Sequence, residues 1–402
     1  MKTNQKTDFL IIGGGVIGLT VALELKKRFR DCSVIVIEKE KLPGQHASGR
    51  NSGVLHAGFY YVADSLKARL TRDGNRELRE YCLDHAIPVN QCGKLVVAKN
   101  EAELDGLETL LRRGRANGVE VEIISAQDAR TIEPRVKTFA KALYSPTTAS
   151  VNPGDVMKQL CVDLDKAKIS LITGARYLKH KDNQVVTTQG SIDAGYVINA
   201  GGLYADKIAR QFGFSQDYSI LPFKGLYLYA EADAGQLATN IYPVPDISNP
   251  FLGVHFTITA DGHMKIGPTA IPAFWRENYT GMDGFNLNEF IEIAGTELSL
   301  LLSNQFGFRQ LAMREIRKYS RSHLVRLASD MVEGIHKTQF IHRGTPGIRA
   351  QLINIRTNQL VMDFCHEGDG KSFHVLNAVS PAFTCAMPFS RLLVDEIERL
   401  NQ

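Results

Sequence analysis

The chain has 402 residues, of which 44% are hydrophobic and 22% charged, and its formal net charge is +4. This composition is typical of a soluble globular protein with room for two domains, and it excludes disordered and fibrous classes. A net charge this small produces no strong positive electrostatic field that would attract nucleic acid, so we expect no nucleic-acid partner. A locally basic cleft would still suit a small anionic substrate.

From the amino-terminal segment we expect no targeting signal. Its first apolar run, residues 9–12, ends at Gly13 and is far shorter than a membrane span of roughly 20 residues. We therefore expect a cytoplasmic protein, with peripheral contact at the inner face of the membrane as an open alternative. The six cysteines form no Cys-x-x-Cys pair and no metal-ligand spacing with histidine, so we interpret them as reduced thiols and expect no metal.

Hydrophobic periodicity predicts a strand at residues 8–12, a helix from 16 to about 28 and a second strand at 33–38, which together form a βαβ unit. Further along the chain, the pattern predicts helices at 64–83, 101–117 and from 153 to 164, strands at 93–98, 169–172 and 196–200, a β-rich region at 222–271, a helical region at 286–340, and strand, loop and helix over 347–400. The fold class is therefore α/β. We predict a discontinuous Rossmann-like nucleotide domain (1–85, 148–222 and 342–402) and an α+β substrate domain on an antiparallel-rich sheet (86–147 and 223–341).

The first turn carries the sequence Gly13-Gly14-Gly15-Val16-Ile17-Gly18, a G-x-G-x-x-G directly after a strand and at the start of a helix. Gly13 would permit the tight turn, Gly15 would let the backbone approach a pyrophosphate, and Gly18 would allow close helix–strand packing. Glu38, about 20 residues further on, would accept hydrogen bonds from a ribose. The motif predicts a dinucleotide, and at this point both NAD and FAD fit.

The choice between them comes from two later segments. Residues 197–202, Val-Ile-Asn-Ala-Gly-Gly, end a strand on a glycine pair, as flavoproteins do where a second segment approaches the dinucleotide. Residues 48–61, Ser-Gly-Arg-Asn-Ser-Gly-Val-Leu-His-Ala-Gly-Phe-Tyr-Tyr, resemble the flavin-contacting loop of the D-amino-acid-oxidase-like FAD superfamily, specifically of L-2-hydroxyglutarate dehydrogenases and oxidases. Further matches occur in the family's order at 222–225, 253–256, 267–268, 347–351 and 375–381. Departures are Arg50 in place of a common His, Lys224 in place of a frequent Arg, and no small-residue run after Pro381.

The resemblance implies an FAD-dependent oxidoreductase that oxidises a small 2-hydroxy acid, L-2-hydroxyglutarate above all, and passes the electrons to quinone or oxygen. Alternatives within the superfamily are an oxidase of glycine or sarcosine and a glycerol-3-phosphate dehydrogenase; an alternative outside enzymes is a binding protein that keeps the fold. The residues expected to bind the cofactor are Gly13, Gly15, Ile17, Gly18, Glu38, Lys39, Ser48, Asn51, Ser52, Gly53, Val54, Ala200, Gly201, Gly347, Asn377, Ser380 and Pro381.

Oxidation of a hydroxy acid needs a base and fixed cations. The candidate bases are His56 and His255, because an imidazole of near-neutral pKa can take up a proton, and the assignment between them is open. Arg349 resembles the superfamily's substrate-carboxylate arginine, since its planar fork matches two oxygens. A second carboxylate would need Lys224, Arg50 or Arg343.

Three further features stay open at the level of sequence. Residues 377–381 could form a loop whose N–H groups stabilise negative charge on the reduced flavin, or a Pro-containing helix entry. Covalent attachment of FAD through His56 or His46 is an open alternative that we do not expect. The arginine-rich helices of 309–326 fit a solvated helix face best, with an anionic membrane as the alternative partner.

Overall fold

The computed structural model describes residues 5–231, 234–246 and 251–402. Its chain divides into two compact units: Met1–Asn51, Pro153–Pro222 and Arg349–Gln402 form the first, and Ser52–Asn152 and Phe223–Ile348 form the second. Residues 52–85, which the sequence interpretation groups with the nucleotide domain, lie in the second unit.

The elements follow in chain order. The strands are β1 (Gln5–Ile12), β2 (Val34–Glu38), β3 (Val54–Leu55), β4 (Val89–Asn90), β5 (Lys94–Val97), β6 (Glu122–Ser125), β7 (Lys141–Ser145), β8 (Ala149–Val151), β9 (Ser170–Thr173), β10 (Tyr177–Lys181), β11 (Gln184–Thr187), β12 (Gly190–Asn199), β13 (Tyr218–Gly225), β14 (Leu228–Tyr229), β15 (Asn240–Pro243), β16 (His255–Ile258), β17 (Met264–Gly267), β18 (Ile271–Pro272), β19 (His342–Arg343), β20 (Gly347–Asn354), β21 (Gln359–Leu360), β22 (Cys365–Gly368) and β23 (Ser372–Asn377). The α-helices are α1 (Val16–Arg28), α2 (Leu66–Asp84), α3 (Leu104–Ala116), α4 (Ala126–Ile132), α5 (Pro153–Lys166), α6 (Ala205–Gln211), α7 (Leu287–Ser303), α8 (Phe308–Arg317), α9 (Arg321–Ser329) and α10 (Ala386–Leu400).

The first unit is built on a mostly parallel sheet. Its strand order is β10-β11-β12-β1-β2-β9, with β23 also beside β12 and β22 beside β23. β1 is parallel to both of its neighbours, with Leu10 opposite Val197 on one side and Ile35 on the other. These side chains are buried, and α1 packs against α5 and α10. The predicted βαβ unit is confirmed, although β1 starts three residues earlier than the predicted strand because residues 5–7 continue the pairing with β12.

The second unit is built on an eight-stranded sheet of order β19-β14-β17-β16-β15-β5-β7-β6. All of its pairs are antiparallel except β15 with β5, which are parallel. The predicted antiparallel-rich sheet is thus confirmed. The helical region of residues 286–340 contains α7, α8 and α9 as separate helices. Among the described residues, no helix is both long and apolar enough to cross a membrane.

One face of this sheet supports an apolar core. The core side chains from the sheet are Leu95, Val97, Leu228, Ile241, Phe256, Ile258, Met264 and Ile266, and they pack with residues of α9 and its surroundings. Successive residues of a strand point to opposite faces, so the residues between them line the other face. That second face carries the polar side chains described below.

Candidate functional site

The turn between β1 and α1, residues 13–18, is called here the glycine turn. Gly13 has φ +118°, and a Cβ at this position would lie 2.4 Å from the Ala200 carbonyl oxygen. A Cβ at Gly18 would lie 2.0 Å from the Gly13 carbonyl oxygen. Neither distance is possible for a real Cβ, so both positions require glycine. A Cβ at Gly15 would meet first the Ser48 Oγ, at 3.1 Å.

Two side chains hold the glycine turn in place. The buried Glu38 carboxylate accepts hydrogen bonds from the Gly14 N–H at 2.8 Å and from the Glu40 N–H at 2.9 Å. Ser48 Oγ accepts one from the Val16 N–H at 2.9 Å and so caps the first turn of α1. Each carboxylate oxygen can accept more than one hydrogen bond, so Glu38 keeps capacity for a ribose hydroxyl.

Ion pairs connect residues of the segment after β2. Glu40 makes a short ion pair with Lys39, and its Oε1 lies 3.0 Å from His46 Nε2. These two partners lower the pKa of Glu40 to about 2, against the opposing effect of burial. Asn51 Nδ2 donates to the carbonyl oxygens of residues 47 and 48, at 3.2 and 2.8 Å. Lys39, His46 and Asn51 thus make ion pairs or hydrogen bonds within this segment, and the predicted contacts of Lys39 and Asn51 with the cofactor stay predictions.

The glycine pair after β12 abuts the glycine turn. The Ala200 N–H donates to the Ile12 carbonyl at 2.9 Å, which continues the β1–β12 pairing to the last residue of β1. The Gly201 N–H donates to Asn199 Oδ1 at 3.0 Å, and Asn199 Nδ2 donates to the Ala205 carbonyl at 2.8 Å. The segment with the glycine pair therefore lies directly beside Gly13, and its approach to the dinucleotide stays a prediction.

The remaining first-unit candidates lie towards the carboxyl terminus. Arg349 is half-buried on β20. Asn377 is fully buried, and its amide donates to the carbonyls of Val361 and Asp363, at 3.0 and 2.6 Å. The Ser380–Pro381 peptide bond is cis, and the turn that follows it ends at α10. Asn377 thus ends β23 and ties the end of this strand to residues 361–363, and residues 378–385 form the connection to α10. A role of this segment at the flavin stays a prediction.

In the second unit, the continuation of the 48–61 loop lies against a small sheet. Val54 pairs with Ser150, and the Gly53 carbonyl accepts from the Val151 N–H at 2.8 Å. The Ser52 carbonyl accepts from the ammonium of Lys265 at 3.0 Å. His56 follows β3 and is buried. This arrangement holds the loop close to the eight-stranded sheet within the second unit.

The second face of the eight-stranded sheet is called here the polar face; its members are Lys94, Tyr242, His255, Thr257 and Lys265. The register fixes their common side. Val96 lies opposite Tyr242, so Lys94, two residues earlier, points the same way. Ile241 lies opposite Phe256, so Tyr242 neighbours His255, and Thr257 lies opposite Lys265.

All five side chains of the polar face are buried, and several basic groups share this space. Burial and the nearby positive charges of Lys94, His56 and Lys265 hold the pKa of His255 well below its ordinary value. Burial lowers the pKa of Lys265 to about 8 and that of Lys94 to about 7. His255 Nδ1 lies 3.0 Å from the Gly253 carbonyl, which requires a proton on Nδ1 and leaves Nε2 as the acceptor of the neutral ring.

Lys224, the penultimate residue of β13, is buried at a separate position. Its ammonium donates to Asn278 Oδ1 at 3.1 Å, and burial lowers its pKa. The other nominated cations are placed differently: Arg50 donates to the Gln45 carbonyl at 2.6 Å, and Arg343 is exposed on β19. Gly347 opens β20 and is buried.

The chain's residues fit a dinucleotide cofactor. The positions where a Cβ would collide, Gly13 and Gly18, fold the backbone sharply at the amino terminus of a 13-residue helix. Such a terminus favours phosphate through its N–H groups and its dipole. Glu38 sits beside the same turn. A pyrophosphate on the turn and a ribose on Glu38 are what this local geometry can hold.

Comparison with known proteins decides between the dinucleotides. Residues 8–396 match the family described as FAD dependent oxidoreductase. The chain belongs to this FAD-dependent oxidoreductase family. Its cofactor is therefore FAD, and it is an enzyme; the sequence interpretation is confirmed on both points.

Two relatives within the family are similar along nearly their whole length. The L-2-hydroxyglutarate dehydrogenase of Escherichia coli (strain K12) is 32% identical over 407 residues, covering 98% of this chain and 93% of the relative. The mitochondrial L-2-hydroxyglutarate dehydrogenase of Homo sapiens is 35% identical over 416 residues, covering 98% and 89%. The resemblance to this group, first visible in the 48–61 loop, is confirmed.

Solved structures share the fold at lower identity. The L-alpha-glycerophosphate oxidase of Mycoplasma pneumoniae, solved with FAD bound, superposes with a TM-score of 0.78 at 24% identity, covering 98% of this chain and 95% of that one. The glycine oxidase of Geobacillus kaustophilus gives a TM-score of 0.74 at 20% identity, with 99% and 96% covered. These likenesses support the α/β flavoprotein fold.

The sequence did not indicate three members of the polar face. They are the two lysines that determine its charge, Lys94 and Lys265, and Tyr242, whose strand β15 lies between β5 and β16. Each lies inside a segment predicted to be β. A lysine in such a segment predicts an edge or solvent-facing position, because burial of a lysine is rare. Only the strand register reveals that these side chains share one buried face.

Proposed function

We propose that this enzyme oxidises L-2-hydroxyglutarate to 2-oxoglutarate. The observation that carries the proposal is the 32% and 35% identity, over 98% of the chain, to bacterial and human proteins that bear the name of this activity. The buried basic groups of the second unit support it, because a substrate with two carboxylates needs fixed positive charge.

The cofactor is held by the first unit in this proposal. Gly13, Gly15 and Gly18 shape the turn that binds the pyrophosphate, and Glu38 accepts from a ribose. Further contacts from the first unit are assigned to Ile17, Lys39, Ser48, Asn51, Ala200, Gly201, Asn377, Ser380 and Pro381. Ser52, Gly53, Val54 and Gly347 of the second unit are proposed as cofactor contacts as well. When bound, FAD accepts a hydride from the substrate carbon that bears the hydroxyl.

His255 is the base that we propose. Its Nδ1 is engaged by the Gly253 carbonyl, so Nε2 is the atom that takes the hydroxyl proton. The surrounding positive charges and burial hold the pKa of His255 low and keep the ring unprotonated and ready to accept. His56, on the loop after β3, is the second candidate.

Two cations are assigned to the two carboxylates. Arg349 takes the carboxylate next to the hydroxyl through its planar fork. Lys224 takes the distal carboxylate, and Asn278 fixes the direction of its ammonium. Burial of Lys224 strengthens its attraction for an anion, since water does not screen the charge there.

An anaerobic substrate screen tests the assignment. L-2-hydroxyglutarate, glycine, sarcosine and glycerol 3-phosphate are each mixed with oxidised holoenzyme, and absorbance of the flavin near its long-wavelength band is followed. The proposal expects bleaching by L-2-hydroxyglutarate alone. Bleaching by an amine or by glycerol 3-phosphate, with none by the hydroxy acid, would reassign the enzyme within its family.

We propose further that the electron acceptor is a quinone in an anionic bilayer. The exposed side of α7 carries an apolar stripe at helical spacing, Leu287, Ile291, Leu298 and Leu302, with 56% to 70% of each side chain exposed. On α8, Met313 and Ile316 are also exposed. Such a density of apolar side chains marks an interaction surface rather than an ordinary solvated one.

The charge next to the stripe favours a bilayer over a protein partner. Arg309, Arg314 and Arg317 lie on α8 and are exposed, and Arg321, the first residue of α9, is half-exposed. A helical surface with apolar side chains flanked by arginine binds anionic lipid through both area and charge. The simpler interpretation of the sequence, a solvated helix face, does not account for the stripe.

Flotation with lipid vesicles tests this surface. We expect the enzyme to float with phosphatidylglycerol vesicles and to reduce a quinone dissolved in them. Leu298→Asp with Leu302→Asp should abolish flotation, whereas Leu178→Asp, at an exposed site in the first unit, should not. Equal binding by the double variant, or turnover with oxygen as fast as with quinone vesicles, would contradict the proposal.

A further inference from the structure

Lys94 is buried in the middle of the second unit in an unusual way. It has no accessible surface, and within the described residues its ammonium has no hydrogen-bond partner. The ammonium instead lies over aromatic rings, 4.0 Å from the centre of Tyr242, 5.2 Å from that of Tyr60 and 5.6 Å from that of Phe59. An isolated buried ammonium is costly, and ring faces offset only part of that cost. Such a group calls for a role beyond stability.

The register of the sheet shows what the ammonium faces. β15 lies between β5 and β16, so Tyr242 has Lys94 on one side and His255 on the other. The His255 imidazole stacks on the Tyr242 ring, with centres 3.6 Å apart and planes 16° from parallel. The ammonium and the imidazole therefore cover opposite faces of one phenol ring.

We propose that Lys94 is a positioning residue which, through the Tyr242 ring, holds the His255 imidazole in place and keeps it in its neutral form. The inference rests on the proposed function, in which His255 is the base. A fixed positive charge one ring away disfavours a second proton on the imidazole. The stacked ring keeps His255 in the orientation in which Nδ1 donates to Gly253 and Nε2 remains free to accept.

Lys94 carries its charge in the pH range in which His255 would otherwise gain a second proton. Burial lowers the pKa of Lys94 to about 7, and Cys92 acts in the opposite direction. Below that pH the ammonium is charged, and this is where His255 would otherwise gain a proton. The other groups that face His255 are His56 on its loop and Lys265 on β17, and both act in the same direction. Removal of Lys94 alone should therefore weaken the effect without abolishing it.

The test is a titration of His255 in holoenzyme that carries ¹³C-labelled histidine, with the signal assigned by its loss in His255→Gln. In Lys94→Met, which keeps the side-chain length and removes the charge, we expect the midpoint to rise by about one pH unit. Lys94→Arg retains a charge and should restore a low midpoint. Lys99→Met, which removes an exposed lysine close by on the chain, is the matched control and should leave the midpoint unchanged.

An unchanged His255 midpoint in folded, flavin-containing Lys94→Met would overturn the inference. If that variant does not fold, Lys94→Leu is the second neutral substitution, with the same expectation. The NMR titration needs no substrate, so it separates the two proposals: a shifted midpoint in an enzyme that L-2-hydroxyglutarate fails to reduce would reject the function alone. Where turnover is present, the acid limb of kcat/KM should move with the midpoint.

Discussion

The glycine turn and the polar face differ in how far apart along the chain their parts lie. The glycine turn, with Glu38 and Ser48, comes from a single stretch of the chain. The polar face joins Lys94 on β5 to Tyr242, His255 and Lys265, which lie on three consecutive strands far along the chain from β5. The turn depends on local backbone geometry, whereas the polar face depends on sheet register. Substitutions in the turn should therefore cost cofactor and stability, and those in the polar face should change chemistry while the cofactor stays bound.

The largest effect is expected at the glycine turn itself. In Gly18→Ala the new Cβ would meet the Gly13 carbonyl at 2.0 Å, so the turn must shift. We expect loss of most bound FAD and a destabilisation of about 3 kcal/mol, measured by flavin content and thermal unfolding. Gly295→Ala, in a helix where a Cβ meets nothing within 4 Å, is the control and should keep the flavin. Full flavin content in Gly18→Ala would contradict the claim that the glycine turn, unlike the polar face, determines cofactor binding.

The next effect separates chemistry from cofactor binding. His255→Gln should lower kcat by ~10²- to 10⁴-fold, the usual contribution of a general base, with unchanged flavin content. His263→Gln, at an exposed site paired with Asp261, should leave kcat unchanged. If His255→Gln keeps its rate and His56→Gln loses it, the base is His56.

Substitution of the two proposed substrate-binding cations should have a smaller effect, which appears in KM. Arg349→Ala and Lys224→Met should each raise KM by ~10- to 100-fold, since each removes a charged partner of a carboxylate. Arg356→Ala, which removes an exposed arginine paired with Asp217, serves as the control for loss of charge. Steady-state kinetics with L-2-hydroxyglutarate checks the values. If KM in Lys224→Met equals that of the unmodified enzyme, binding of the distal carboxylate would be reassigned to Arg50 or Arg343.

The smallest effect concerns the cap of α1. Ser48→Ala removes the hydroxyl that accepts from the Val16 N–H, so it should cost about 1 kcal/mol of stability. The glycine turn itself should persist, because Gly13 and Gly18 are untouched. Urea unfolding followed by helical circular dichroism measures the loss, with Ser65→Ala, the cap of α2, as a comparison of similar expected size.

How much could be predicted from the sequence follows the same division. The βαβ unit, the bounds of α1 and a dinucleotide cofactor could be predicted, because periodicity and glycine spacing act over a few residues, whereas the choice of FAD came from family resemblance. His255 could be nominated only through family resemblance. Lys94 and Tyr242 could not be nominated, because nothing local in a strand states which distant strand lies beside it. The exposed stripe on α7 was also missed, since an apolar helix in sequence gives no sign of which side remains uncovered.

A single-turnover experiment tests the central claim most directly. Oxidised holoenzyme is mixed without oxygen with one equivalent of L-2-hydroxyglutarate or of its D enantiomer, and both the flavin spectrum and the organic product are measured. The account predicts complete reduction by the L form, formation of one equivalent of 2-oxoglutarate, and no reduction by the D form. A flavin that stays oxidised with the L form in correctly folded, FAD-loaded protein would contradict the account.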